Sequence, residues 1–253
     1  LRAEQLPHTR PTAKLRTSAV TAGYGAAPVV HGITVEVGLG EIVSIVGPNG
    51  SGKSTLLKSI VGIVTVLSGQ VWLGDVNITN QPTEIIARLG VGYIPQVDDI
   101  FETLTVRENL EMGGYLLRSS EVPDHIDAVI DTFPRLATMM SRRAGKLSGG
   151  ERKMLAMGRV LMLRPAVCVL DEPTANLAPI MAHELLEQHV RQLAATGAAV
   201  LLVEQRARAA LAISDWAYVL GGGTCRAEGT PTDLGTSAEF VESFLGGSRD
   251  KGG

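Results

Sequence analysis

Aromatic residues are scarce in this chain, at 4% of 253 residues. Its core must therefore be mostly aliphatic, built from Val, Leu, Ile and Ala. Cysteine is scarcer still, with only Cys168 and Cys225. Two such residues do not suggest a disulfide scaffold or a metal site, and a reducing compartment follows. Cys168 lies in the apolar run Ala166 to Leu170 and is expected to be a small core residue. There is no excess of positive charge: the formal net charge is −3. That argues against binding nucleic acid through bulk charge, and no nucleic-acid partner is expected. No apolar run approaches the length of a membrane span; the longest, such as Ala198 to Val203, have strand length. The first residues, Leu1 to Pro11, are polar and lack the apolar segment of a secretory signal. Residues 1–13 are expected to be a flexible leader and residues 247–253 a flexible tail. No internal repeat or low-complexity linker is visible.

Hydrophobic residues make up 45% of the chain, and their order is informative. Ile42–Val46, Val91–Ile94, Val167–Leu170 and Ala198–Val203 are apolar runs without period-two alternation, as in strands buried on both faces. Amphipathic helical patterns lie between them, which predicts an α/β fold with a mostly parallel sheet. Residues 14–37 and 70–75 are strand-like with Gly turns and predict a small antiparallel β subdomain. Residues 106–143 are almost entirely helical in pattern and predict an inserted α-helical subdomain, placed at about 97–150. From Trp216 onward two short strands are expected around Gly221-Gly222-Gly223, then a helix near 237–245. His183 and His189, on a predicted helix, are expected at the surface.

The strand Ile42–Val46 runs into Gly47, Pro48, Asn49, Gly50, Ser51, Gly52, Lys53 and Ser54, followed by an apolar helical segment from Thr55 to Ile63. This is the G-x-x-x-x-G-K-[ST] spacing in its required context of strand, loop and helix. Glycines let successive backbone N–H groups turn inward on phosphate oxygens, and the helix N-terminus adds a positive dipole end. Lys53 can reach the β- and γ-phosphates as a point charge, and Ser54 can offer its hydroxyl to Mg²⁺. The bland alternative is a Gly-rich turn that happens to precede Lys and Ser.

A second strand, Val167–Leu170, ends in Asp171, Glu172 and Pro173. Ligands in parallel α/β sheets bind at the carboxyl ends of strands. Asp171 is thus placed to hold Mg²⁺. Glu172 is placed to polarise an attacking water as general base. Taken alone, the pair could equally be a solvated strand end.

Residues 147–151 are Leu-Ser-Gly-Gly-Glu. In isolation they make an ordinary helix start, with Ser148 as N-cap and Glu151 closing a capping box. They stand 20 residues before Asp171 and about 100 after the phosphate loop. In that order the chain resembles the ABC ATPase family over residues 14–246, whose signature motif Ser148, Gly149 and Gly150 match. The resemblance implies a P-loop NTPase (RecA-like) core, ATP and Mg²⁺ as ligands, and two copies packed head to tail. In that pairing the phosphate loop of one copy and residues 148–150 of the other enclose one ATP. Gln96 matches the loop glutamine that senses Mg²⁺ and the permease. Tyr24 matches the aromatic that stacks on adenine; it could instead be an edge-strand tyrosine in a Gly-flanked turn. Residues 175–178, Ala-Asn-Leu-Ala, occupy a position that commonly ends in Asp, so Asp-mediated contacts across the dimer are in doubt. Gln205 stands where the family usually has a switch histidine.

Val203-Glu204-Gln205, Pro95-Gln96, residues 104–110 (Leu-Thr-Val-Arg-Glu-Asn-Leu) and Leu177-Ala178-Pro179 are similar to branched-chain amino acid importer ATPases of the LivF type. This implies a site at the cytoplasmic face of the cell membrane, held through permease subunits. It implies an extracytoplasmic solute-binding protein in the complex, and pairing as a homodimer or with a related ATPase. Urea and amide importers share much of the pattern, and lipid or lipopolysaccharide export ATPases and non-transport ABC ATPases are rivals. The intact Lys53, Asp171 and Glu172 disfavour a non-hydrolysing regulator.

Overall fold

A strand that is apolar at every position needs cover on both faces. The structure, a computed structural model, describes residues 13–97 and 99–236 and provides that cover. In chain order its strands are β1 (Ala13–Tyr24), β2 (Ala27–Gly38), β3 (Ile42–Val46), β4 (Thr65–Leu73), β5 (Val76–Asn77), β6 (Val91–Ile94), β7 (Val167–Asp171), β8 (Ala199–Glu204), β9 (Trp216–Gly221) and β10 (Thr224–Gly229). The helices are α1 (Lys53–Ile60), α2 (Thr83–Arg88), α3 (Val106–Gly113), α4 (Val122–Thr132), α5 (Gly149–Leu161), α6 (Pro179–Glu184), α7 (Arg191–Ala195), α8 (Ala207–Ile213) and α9 (Pro231–Thr236).

The central sheet has the order β10-β9-β3-β8-β7-β6. Its strands run parallel except β10, which pairs antiparallel with β9. A second sheet, β2-β1-β4-β5, is antiparallel throughout. Alternate residues of each central strand enter different cores. Val43, Ile45, Val169, Leu201 and Val203 join Leu56, Leu57 and Ile60 of α1 and the inner face of the antiparallel sheet. Ile42, Val46, Leu170, Val200 and Leu202 join α3, α4, α5 and the helix that follows β7. This two-sided burial is why the strands carry continuous apolar runs.

Between β6 and β7 the chain is helical. Thr105 caps α3 with a reciprocal capping box through Glu108. Gly113 lets α3 approach α5 closely, since a Cβ there would lie 2.4 Å from the Arg159 carbonyl oxygen. Among the described residues no helix is long and apolar enough to cross a membrane.

Several expectations shift. α1 starts at Lys53 and ends at Ile60, and β4 begins at Thr65 rather than Gln70. The start of β4 was hidden because Thr65, Leu67 and Ser68 are exposed and only Val66 is buried there. His183 is exposed, but His189 is not a surface residue. It is 9% exposed and meets the Phe133 ring edge-on at 5.5 Å. It stands four residues after Leu185 and three after Leu186, on the buried side of the helix, and the turn Leu185–Val190 is π-helical. β1 begins at Ala13, the last residue assigned to the leader. The rest of the leader, the helix expected near 237–245 and the tail lie outside the described residues.

Candidate active site

The loop that leaves β3 turns on two glycines in the left-handed region, Gly50 (φ 76°) and Gly52 (φ 97°). A side chain at Gly52 would also strike Val30, 2.4 Å from its Cβ. Gly52 is the N-cap of α1 and offers no side-chain hydrogen bond, so the first-turn amides are left for another acceptor. The Ser51 hydroxyl oxygen is buried and has no hydrogen-bond partner among the described residues. An unsatisfied buried hydroxyl is costly, and a phosphate oxygen in the loop would relieve it.

Lys53 is 4% exposed and folds back over its own loop. Its Nζ donates to the carbonyls of Gly47 at 2.9 Å and Pro48 at 3.1 Å, and lies 3.5 Å from Glu172 Oε1. The next residue, Ser54, donates its hydroxyl to Asp171 Oδ1 at 2.8 Å. On the other side of that carboxylate, the Tyr93 hydroxyl donates to Oδ2 at 3.3 Å. Burial first, and then the Asp171 charge, push the Tyr93 phenol above its ordinary value, so it remains a donor. Ser54 and Asp171 are hard oxygen donors, the kind Mg²⁺ takes from a protein when substrate phosphates and water complete its shell. The residues present therefore fit that ion.

Glu172 has φ 46°, an uncommon conformation for a residue with a Cβ. It is held there from both sides. Its own N–H donates to the Val203 carbonyl at 2.9 Å, and its carbonyl accepts from Ala175 N–H at 3.0 Å. Gln96 Nε2 donates to Glu172 Oε2 at 3.1 Å. The loop, Lys53, Ser54, Gln96, Glu172 and Gln205 line one cavity of about 430 Å³. This brings residues from the ends of β3, β6, β7 and β8 to one place, the carboxyl edge of the parallel sheet.

Not every candidate stands where the family pattern implies. Gln96 contacts Glu172 rather than the Ser54–Asp171 pair. Tyr24 is 58% exposed at the end of β1 and is not part of the cavity wall. Ser148, Gly149 and Gly150 are also outside it. Ser148 accepts from Glu151 N–H at 3.3 Å while Glu151 accepts from Ser148 N–H at 2.8 Å, so the capping box exists. Sequence reading missed Tyr93 and Val29. Val29 lines the cavity from β2. Tyr93 pairs across the sheet with Val169, two residues before Asp171. Only the order of β6 beside β7 could have pointed to it.

Comparison with known proteins agrees with this arrangement. Residues 30–175 match the family described as "ABC transporter". The chain is 44% identical over 232 residues to a probable branched-chain amino acid transport ATP-binding protein, LivF, of Archaeoglobus fulgidus, covering 92% of this chain and 98% of that protein. It is 40% identical to the high-affinity branched-chain amino acid transport ATP-binding protein BraG of Pseudomonas aeruginosa, over 90% and 97% of the two chains. Among solved structures, an ATP-binding cassette of an ABC transporter in its ADP conformation superposes with a TM-score of 0.84 at 30% identity, covering 93% of this chain and all of the other.

Proposed function

This chain belongs to the ABC transporter family, and from that premise we propose that it is the ATP-hydrolysing subunit of an importer for branched-chain amino acids. The observation that supports this most is the convergence of Lys53, Ser54, Gln96, Glu172 and Gln205 on one cavity beside an uncapped, Gly-lined helix start. The loop amides and Ser51 would take the phosphates, and Lys53 would leave the Gly47 and Pro48 carbonyls for the β- and γ-phosphates. Ser54 and Asp171 would hold Mg²⁺, which when bound neutralises charge on the phosphate oxygens. Glu172 would orient the attacking water and accept its proton, with Gln96 and Gln205 on either side. Tyr24 is exposed enough to take the adenine face. Ser148, Gly149 and Gly150 would act across a dimer, on the other copy's nucleotide.

The choice of solute leans on the two relatives, whose names specify branched-chain amino acids. The partner reading leans on a second cavity, of about 470 Å³, walled by β6, the end of α3 and α5. Tyr93, Pro95, Phe101, Met112, Tyr115 and Arg159 line it. Phe101, Met112 and Tyr115 are 42%, 48% and 59% exposed, an apolar surface that a short permease helix would cover. Asn109 holds Phe101 in place, accepting its N–H at 2.8 Å and donating to its carbonyl at 2.9 Å. In this reading the protein sits at the cytoplasmic face of the membrane through that contact.

The test is reconstitution. The isolated chain is expected to hydrolyse ATP slowly. Assembled with its permeases and binding protein in vesicles, it should hydrolyse several-fold faster when leucine, isoleucine or valine is supplied outside. Stimulation by urea or short amides instead would reassign the solute. Co-purification with ribosomes or DNA, and no membrane protein, would remove the transport reading.

Gln205 adds a smaller prediction. A neutral amide can orient phosphate and water but does not titrate, whereas histidine changes charge near pH 6.5. Gln205→Ala should slow single-turnover hydrolysis about tenfold or more, with ATP affinity within about threefold of wild type. The wild-type pH–rate profile should show no limb from this position. Unchanged turnover in the alanine variant would make Gln205 a bystander.

A further inference from the structure

Glu204 ends β8 with 1% exposure, and none of the roles above uses it. It pairs in register with Val46, the residue before the phosphate loop. Its neighbour Val203 pairs with Asp171. Two and four residues earlier on the same strand, Leu202 and Val200 are buried in an apolar cluster. A carboxylate at such a place loses its hydration and must be satisfied by protein donors. The donor comes from the turn after β7: Glu204 Oε1 accepts the Thr174 N–H at 2.9 Å. Thr174 is itself buried, two residues past Glu172.

Two more ties join the same segments. The Glu172 N–H donates to the Val203 carbonyl at 2.9 Å. Arg206 Nη2 donates to the Leu177 carbonyl at 2.9 Å. Residues 172–177 are therefore fixed to the end of β8 through Val203, Glu204 and Arg206. These are the residues on either side of Gln205. The Glu204 bond is buried, whereas the Arg206 bond is only partly so. The former lies where the backbone has just passed through the strained Glu172.

We propose that Glu204 is a positioning residue for ATP hydrolysis: its carboxylate locks the turn that carries Glu172 to the turn that carries Gln205. Glu172 then keeps its left-handed backbone and its aim into the cavity, and Gln205 keeps its place beside it. The proposal rests on the catalytic reading of Glu172 given above. Burial pushes the Glu204 carboxyl above its usual range, hydrogen bonding to Thr174 pulls it back in part, and the charge of Glu172 pushes it up again. Glutamine keeps the accepting oxygen without the charge and is the conservative replacement. Leucine keeps the bulk and removes the acceptor. Aspartate keeps the charge and shortens the reach by one methylene.

Wild type, Glu204→Gln, Glu204→Leu, Glu204→Asp and Glu172→Gln are compared in one assay of single-turnover hydrolysis and nucleotide affinity. Glu204→Leu should lose at least tenfold in hydrolysis with ATP affinity within threefold of wild type. Glu204→Gln should recover to within threefold of the wild-type rate. If the leucine variant does not fold, Glu204→Asp carries the test, with an expected loss of at least fivefold at unchanged affinity. Wild-type hydrolysis in the folded leucine variant, or in the aspartate variant where it stands in, overturns the proposal. So does a parallel loss of affinity and rate, which is what a purely structural carboxylate would produce. A normal rate in Glu172→Gln overturns the catalytic reading and this proposal together. A normal rate in Glu204→Leu beside an inactive Glu172→Gln overturns this proposal alone.

Discussion

Glu172→Gln is expected to lower single-turnover ATP hydrolysis by about 10² or more, the usual scale for a lost general base, while ATP stays bound. Phosphoryl transfer asks the protein for positioning and charge stabilisation rather than covalent chemistry. The loop amides and Lys53 supply charge, and both survive the substitution. Glutamine keeps the side chain's length and one accepting oxygen, so the contact with Gln96 can persist. What disappears is the proton acceptor, together with the repulsion between a carboxylate and the γ-phosphate. Affinity should therefore hold or rise. Because two copies close over ATP in the proposed arrangement, the variant should accumulate as an ATP-bound dimer, with itself or a related ATPase. Single-turnover kinetics and light scattering in ATP decide both points. Normal turnover would remove Glu172 from the role of base. Slow turnover without ATP-dependent pairing to any partner would remove the dimer.

Lys53→Ala should abolish measurable turnover and weaken nucleotide binding together, unlike Glu172→Gln. Removing a preorganised charge at the site where negative charge gathers costs about 10²–10³ in rate even for a single neutral donor, and Lys53 carries a full charge. The loss has a second part. The Gly47 and Pro48 carbonyls lose the donor they share, and Glu172 loses the cation 3.5 Å away. The loop should then be less ordered before any nucleotide arrives. The fold itself should persist, because Lys53 sits at the first position of α1, facing the loop, while Leu56, Leu57 and Ile60 anchor the helix in the core. Circular dichroism and a cooperative melt establish that, and equilibrium binding of a fluorescent ATP analogue reports the affinity. Near-wild-type turnover in a folded Lys53→Ala would sink the phosphate-loop assignment.

The parts of the site legible in the sequence are those whose geometry is local. Residues 47–54 announce a loop because every position that matters lies within eight residues of chain. Asp171 and Glu172 could be placed because an apolar strand of a parallel sheet has a defined ligand-facing end. The central strands were legible for a related reason: burial on both faces leaves an unbroken apolar run. Tyr93 and Glu204 were hidden because their partners, Asp171 at the end of β7 and Thr174 in the turn beyond it, are 78 and 30 residues away in the chain. A tyrosine in β6 and a glutamate after Val203 are unremarkable until β6, β7 and β8 are side by side. His189 is a different failure. Its spacing from Leu185 and Leu186 points inward, which its polarity alone does not reveal. The start of β4 was obscured because its first residues show little apolar pattern on a largely exposed strand.

The strand order also sets a timetable for synthesis. β3 lies between β8 and β9, and Val43 pairs with Leu201 and Trp216. Those neighbours are more than 150 residues downstream of β3 in the chain. At about 5–20 residues per second, the mostly apolar β3 leaves the ribosome on the order of 10 s before either flanking strand exists. The antiparallel sheet can form early, since β1, β2 and β4 follow one another closely and pair with each other. It would give the inner face of β3 and of α1 somewhere to rest. The opposite face, with Ile42 and Val46, waits for partners from the second half of the chain. The phosphate loop waits as well, because Ser51 is braced by the N–H of Gly223. The phosphate loop, made early in synthesis, is thus among the last parts of the site to be completed, and a nascent chain halted before residue 223 carries the motif without that brace.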